Sequence, residues 1–260
     1  MSSELTALLA IAQRDLIKFL RDRPRVIVSL VFPFIFIAVL GSTLQANLGR
    51  TTAYNLVGFT FTGVLAMTLF QSAATGIISL IEDRENDFSK EMFVAPIRRT
   101  TIIAGKVLGE TLVALIQGAG IVAFSLVIGV RLGPAAIALL IPVGLACCLL
   151  GGAFGVATLG ALPNQRTAQQ IFPFFILPQY FLAGIFAPIN VLPIYLDIVS
   201  HLSPLRYAVD LTRVAFYTGR PEYGRVVLDG TLIDVLTMSA LFLAGLGIGT
   251  LLFTHRERNR

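Results

Sequence analysis

Few side chains in this sequence have the type and spacing to do chemistry, and Glu110 stands out among them. It is the only ionisable residue between Val107 and Val130, a stretch otherwise apolar enough for a membrane interior. A carboxylate in such a place is the usual material of a proton relay. Lys106 precedes it by one helical turn, near the end of the stretch, which equally describes a paired carboxylate snorkelling to the interface. Asp197 and His201 share a helical face at i, i+4, but two ligands do not make a metal site. The string "TTIIAGKVL" (Thr100 to Leu108) carries Gly105 and Lys106 but lacks the upstream glycine and the Ser/Thr of an ATP-cradling loop. The second histidine, His255, lies in the tail, so no Ser, His and acid grouping suggests hydrolysis. Cys147 and Cys148 are adjacent and poorly placed to bridge. We expect no catalytic residue, no metal site and no cofactor in this chain.

Composition places these residues in a bilayer. The chain has 260 residues, 55% of them hydrophobic and 13% charged, too few ions to cover a soluble surface. Uncharged runs of about 20 residues predict spans near Val26 to Gln45, Asn55 to Leu80, Val107 to Val130, Ala135 to Ala161, Ile171 to Ala187 and Leu232 to Phe253. The fold class expected is an all-α membrane protein with six transmembrane helices in a single domain, 1–260. The first span is not read as a cleavable signal, because acidic Glu4 precedes it and no small-residue cleavage pattern follows. Six crossings put both termini on one side. That side holds fourteen Lys and Arg against six on the other, which makes it cytoplasmic. The net charge of +5 then reflects orientation in a membrane, and nucleic acid is the weaker explanation.

Three segments do not read as spans. Over residues 4–23, Leu5, Leu8, Leu9, Ala12, Leu16, Phe19 and Leu20 fall on one arc, with Glu4, Arg14, Asp15, Lys18, Arg21 and Asp22 on the other. This predicts an amphipathic helix in the membrane interface, or a solvated helix packed on the loops. Residues 82–99, "EDRENDFSKEMFVAPIRR", carry nine charges in eighteen positions. Phe88 and Met92 share a helical face and Pro96 stops the helix, a pattern suited either to docking in a groove of a soluble partner or to a solvated turn. Around 188–213, Pro188, Pro193 and Pro204 cut an apolar segment into pieces too short to span, which predicts a re-entrant or interfacial hairpin on the outer side. Phe59, Phe61, Phe70, Phe172, Phe175, Tyr180 and Phe181 are candidate contacts for an apolar or amphipathic substrate, with packing roles open for each.

The stretch "DRENDFSKEMFVAPIRRTTIIAGKVLGETLVALIQG" resembles the segment after the second span of ABC-2 type permeases of the multidrug, daunorubicin-resistance and nodulation branch. The matching residues are Asp83, Arg84, Glu85, Phe88, Lys90, Glu91, Met92, Val94, Ala95, Pro96, Gly105 and Lys106. A second stretch, "FLAGIFAPINVLPIYLDIVSHLSPLRYAVDLTR", is similar to the family through Phe181, Leu182, Gly184, Pro193, Pro204, Leu205, Tyr207, Asp210 and Arg213. Asp87, Ser89, Ser203 and Arg206 depart from the family pattern. The resemblance implies an exporter permease subunit in a bacterial or archaeal cell membrane, with both termini cytoplasmic. It implies pairing with a second permease subunit and with a cytosolic ATPase dimer that binds ATP and magnesium. Residues 82–97 would be the coupling helix, acting through Glu82, Asp83, Arg84, Glu85, Phe88, Lys90, Glu91, Met92 and Pro96. Pro188, Pro193, Pro204 and Tyr207 would belong to the external hairpin. The substrate expected is a drug-like or lipid-like amphipath. A lipid-linked glycan is the alternative within the class, and proton-coupled antiport through Glu110 the alternative outside it.

Overall fold

The computed structural model describes residues 2–52, 54–85, 98–159, 162, 164–189 and 192–258. Among them every regular element is helical, as backbone in lipid requires, since a helix satisfies its own N–H and C=O groups. Helix α1 covers Ser2–Arg21. Asp22 breaks the chain and accepts a hydrogen bond from Arg25 N–H (3.2 Å), which with Pro24 starts the next helix. That helix, α2, runs over Arg23–Leu48. Pro33 lies inside it, and the backbone takes a π-helical turn from Phe36 to Gly41. Helices α3 (Leu56–Glu85), α4 (Arg99–Val127) and α5 (Pro134–Leu159) follow. The rest are α6 (Gln165–Leu182), α7 (Ile194–His201), α8 (Pro204–Tyr217), a single turn α9 (Tyr223–Val226) and α10 (Thr231–Arg258).

Five of these are long and apolar enough to cross a membrane: Arg23–Leu48, Leu56–Glu82, Thr100–Val127, Pro134–Leu159 and Thr231–Gly249. They coincide with five of the six expected spans. The remaining one, expected at Ile171 to Ala187, falls on α6, an 18-residue helix that begins earlier, at Gln165, and contains Pro173 and Pro178.

Helix α3 is the hub, touched by α2, α4, α5, α6 and α8. Phe61, Phe70, Ala73, Ala74 and Ile77 on it have no exposed surface. Lipid tails are as apolar as these side chains, so burial does not by itself hold such helices together; close van der Waals contact does. Glycines on α5 permit that contact. A Cβ built at Gly151 would overlap the Phe70 carbonyl, and one at Gly155 would fall 2.9 Å from Ala74 Cα.

Apolar surface remains on the outside of the bundle. Val28, Phe32 and Val39 of α2, Phe174 and Phe181 of α6, and Leu236 and Leu243 of α10 are all exposed in the single chain.

Candidate functional site

At one end of the bundle α1, α3 and α4 meet around buried charge. Helix α1 lies on α4 where glycine leaves room: a Cβ at Gly105 would sit 3.1 Å from Leu8 O, and one at Gly109 the same distance from Ala12 Cα. The contact brings Lys106 Nζ to within 2.9 Å of Asp15 Oδ2, both side chains almost wholly buried. Arg14 also reaches Asp15, at 3.0 Å. One turn along α4, Glu110 is buried and accepts a hydrogen bond from Ser79 of α3 (3.2 Å). It fills the space that Gly76 leaves open on α3. Lys106 thus lies within the electrostatic reach of both carboxylates.

Two contacts at the rim complete the junction. Lys18 of α1 lies 3.9 Å from Glu82 of α3. Glu4 accepts hydrogen bonds from Thr101 Oγ1 and from Arg98 N–H, so α1 supplies a carboxylate to the N-terminus of α4. The Thr101 hydrogen bond pulls the Glu4 carboxyl below its ordinary pKa.

The expected amphipathic helix over 4–23 is present as α1, with a difference in how its faces are used. Ala12 is buried on α4 and Phe19 is buried under the Arg25 guanidinium, while Leu5, Leu9 and Leu20 stay exposed. Asp15, assigned to the polar arc by periodicity, is buried because Lys106 neutralises it. Of the coupling residues, Glu82, Asp83, Arg84 and Glu85 continue α3 rather than starting a separate helix. Phe88, Lys90, Glu91, Met92 and Pro96 lie outside the described residues.

At the other end, α7 and α8 occupy the place expected for a hairpin, but α8 is not a surface helix. Every residue from Leu205 to Tyr217 is buried, enclosed by α3, α5, α6 and α10. The family-like residues have identifiable work here. Gly184 adopts φ +69° at the end of α6, a conformation glycine tolerates, and its carbonyl accepts from Arg213 Nη2 (2.6 Å). The Arg213 guanidinium lies 4.0 Å over the Phe59 ring. Asp210 accepts from Leu228 N–H (2.9 Å) and Asp229 N–H (2.8 Å). Tyr207 donates to His201 O (2.9 Å). Pro193 is the N-cap residue of α7 and Pro204 opens α8, where a missing N–H costs nothing; Pro188 is exposed in the loop before them. Asp197 and His201 face each other at 3.6 Å, and Asp197 also meets Arg206 at 3.5 Å.

The aromatic candidates divide by location. Phe59, Phe61, Phe70, Phe172 and Tyr180 are buried among the helices of this chain, and Tyr180 donates to the Gln71 side chain. In this conformation these five side chains are covered by neighbouring helices. Phe175 and Phe181 are exposed on α6. A groove of 290 Å³ opens instead between α2, α3 and α4. It is lined by Arg25, Ser29, Phe32, Pro33, Met67, Thr68, Gln71, Ser72, Thr75 and Gln117. Sequence reasoning passed over these polar residues, since a lone hydroxyl or amide inside an apolar run carries no periodic signal.

Several apolar rods around a closely packed hub, with charge gathered at their ends, define a polytopic helical membrane protein. Residues 6–217 match the model of the ABC-2 type transporter family, and the chain belongs to that family of transport permease subunits. It is 27% identical over 203 residues to the transport permease ycf38 of Cyanophora paradoxa, an alignment covering 76% of this chain and 70% of that protein. To ycf38 of Porphyra purpurea it is 28% identical over 219 residues, covering 80% and 72%. The inner membrane transport permease YadH of Escherichia coli strain K12 is 25% identical over 215 residues, covering 81% and 82%.

Proposed function

We propose that this chain is the membrane subunit of an ATP-driven exporter that moves amphipathic drug-like or lipid-like molecules outward across a bacterial or archaeal cell membrane. It works as a pair of permease subunits, alike or different, with a cytosolic ATPase dimer. The observation that carries the substrate class is the groove between α2, α3 and α4. Ser29, Thr68, Gln71, Ser72, Thr75 and Gln117 line it together with Phe32 and Met67. Such a lining suits a molecule with one polar and one apolar part.

The junction of α1, α3 and α4 supports the mechanism. In this reading residues 82–97 dock on the ATPase and its movement displaces the end of α3. Glu82 to Lys18, Ser79 to Glu110 and Lys106 to Asp15 then carry that displacement into α4 and α1. The hairpin α7–α8 closes the outer end of the path, and α6 serves as the sixth crossing, with the termini on the cytoplasmic side.

Reconstitution in liposomes with candidate ATPases tests the proposal. Stimulated ATP hydrolysis and outward transport of an amphipath are expected, both reduced in Glu85→Ala and Glu91→Ala while the protein remains inserted. Transport that survives ATP depletion, requires a pH gradient and is lost in Glu110→Gln but not in Glu91→Ala would establish the antiporter in its place. Buried Glu110 gives that rival its footing. Transport restricted to lipid-linked glycans would replace the substrate class while keeping the energy source.

A further inference from the structure

The end of the bundle opposite α1 holds a second charged cluster, which the transport reading does not use. Asp210 comes from α8, Asp229 from the loop after α9, and Asp234 from the first turn of α10. One carboxylate oxygen from each lies within 4.8 Å of the others. Asp210 and Asp234 have no exposed surface, and Asp229 is half-buried.

Their circumstances differ. Asp229 is held by the Arg206 guanidinium, whose Nε and Nη2 both approach Oδ2 at 3.2 Å. Asp210 takes backbone N–H groups on both oxygens. Asp234 has neither: both its oxygens are buried without a hydrogen-bond partner. It is therefore an unpartnered buried carboxylate aimed at two others, a costly arrangement unless something positive joins it.

The two buried arginines nearby, Arg206 and Arg213, direct their remaining donors away from Asp234. Arg206 spends its Nη1 on Ser200 (2.7 Å) and on Asp197. Arg213 turns to Gly184 O and the Phe59 ring.

We propose that Asp210, Asp229 and Asp234 bind a hard divalent cation, which ties α8, the 227–230 loop and the start of α10 together. The donors are all oxygen, which selects hard cations over zinc or copper.

Calorimetric titration of the purified full-length chain in nanodiscs, stripped by chelator and then given calcium chloride alone, tests this. Saturable uptake of a single ion per chain, with a rise in unfolding temperature, is expected. Asp234→Asn should raise the Kd by about tenfold or more and abolish the thermal shift. Asp229→Asn should also weaken binding, and it serves as a second variant should Asp234→Asn fail to fold. Absence of saturable binding at millimolar calcium would overturn the proposal, as would unchanged affinity in both variants. So would a cation-independent rise in stability on mild acidification with no calcium uptake, which would assign the relief to a proton shared by Asp210 and Asp234.

Discussion

Lys106 on α4 and Asp15 on α1 form an ion pair at 2.9 Å with both side chains almost wholly buried. Glu110, one turn further along α4 and equally buried, lies within reach of the same ammonium. One cation thus serves two carboxylates from two helices, and the two partners of the pair are not equivalent.

Lys106→Met should therefore destabilise more than Asp15→Asn. The first takes from Asp15 and Glu110 the ammonium they share; the second leaves Lys106 close to Glu110. Removing one partner of a buried pair costs about 3–5 kcal/mol, and we place Lys106→Met in that range. Unfolding temperatures of the single and double variants in detergent measure the difference. Equal losses would show that Glu110 does not share the ammonium.

The contact of α5 with α3 depends on glycine. Gly151→Ala would drive a methyl group into the Phe70 backbone, which cannot swing aside as a side-chain tip can. A loss of about 1–3 kcal/mol is expected. Gly247→Ala, where no atom lies within 4 Å, serves as the contrast and should be near neutral. Thermal unfolding of the two variants side by side provides the check.

Arg213→Lys keeps the charge but gives up the planar guanidinium over Phe59 and the directed donor to Gly184 O. A loss of about 1–2 kcal/mol follows from the stacking alone. Hydrogen exchange should rise at the turn after α6, which Arg213 braces. Exchange unchanged there would separate Arg213 from that role.

The Glu4 contact is pH-dependent in a definite direction. Its carboxyl titrates below its ordinary value because Thr101 donates to the ionised form. The stabilisation is present above the unfolded pKa and is lost as pH falls through the lower, folded one. Hydrogen exchange in the first turns of α1 should therefore increase on acidification below about pH 4. Glu4→Gln should show much of that increase already at neutral pH.

Much of this architecture is legible in the sequence. The uncharged runs mark five long apolar helices, and the amphipathic pattern of residues 4–23 marks α1. The proline and glycine punctuation of 184–204 marks the ends of α6, α7 and α8. What periodicity misjudged were residues whose environment comes from distant chain. Asp15 looked solvent-facing and is buried by Lys106, 91 positions away in sequence. The segment around 188–213 looked re-entrant or interfacial because prolines divide it into short apolar pieces, yet α8 lies inside the bundle with Asp210 and Arg213 bonded there. Phe59, Phe61 and Phe70, for which substrate contact and packing were both open, are buried among the helices.

The sequence by itself determined that the chain crosses a membrane, which segments are apolar enough to do so, and which family it belongs to. The first two depend on length and absence of charge along a line, the conditions that a bilayer imposes on each helix separately, and the third on two local motifs. Only the tertiary structure decided which of the few charges meet. Asp15 finds Lys106 because two glycines let α1 approach α4, and Asp210, Asp229 and Asp234 converge because α8 is drawn into the bundle beside α10. An ion in a low-dielectric interior must find compensation across helices, and no spacing within a single helix records the partner.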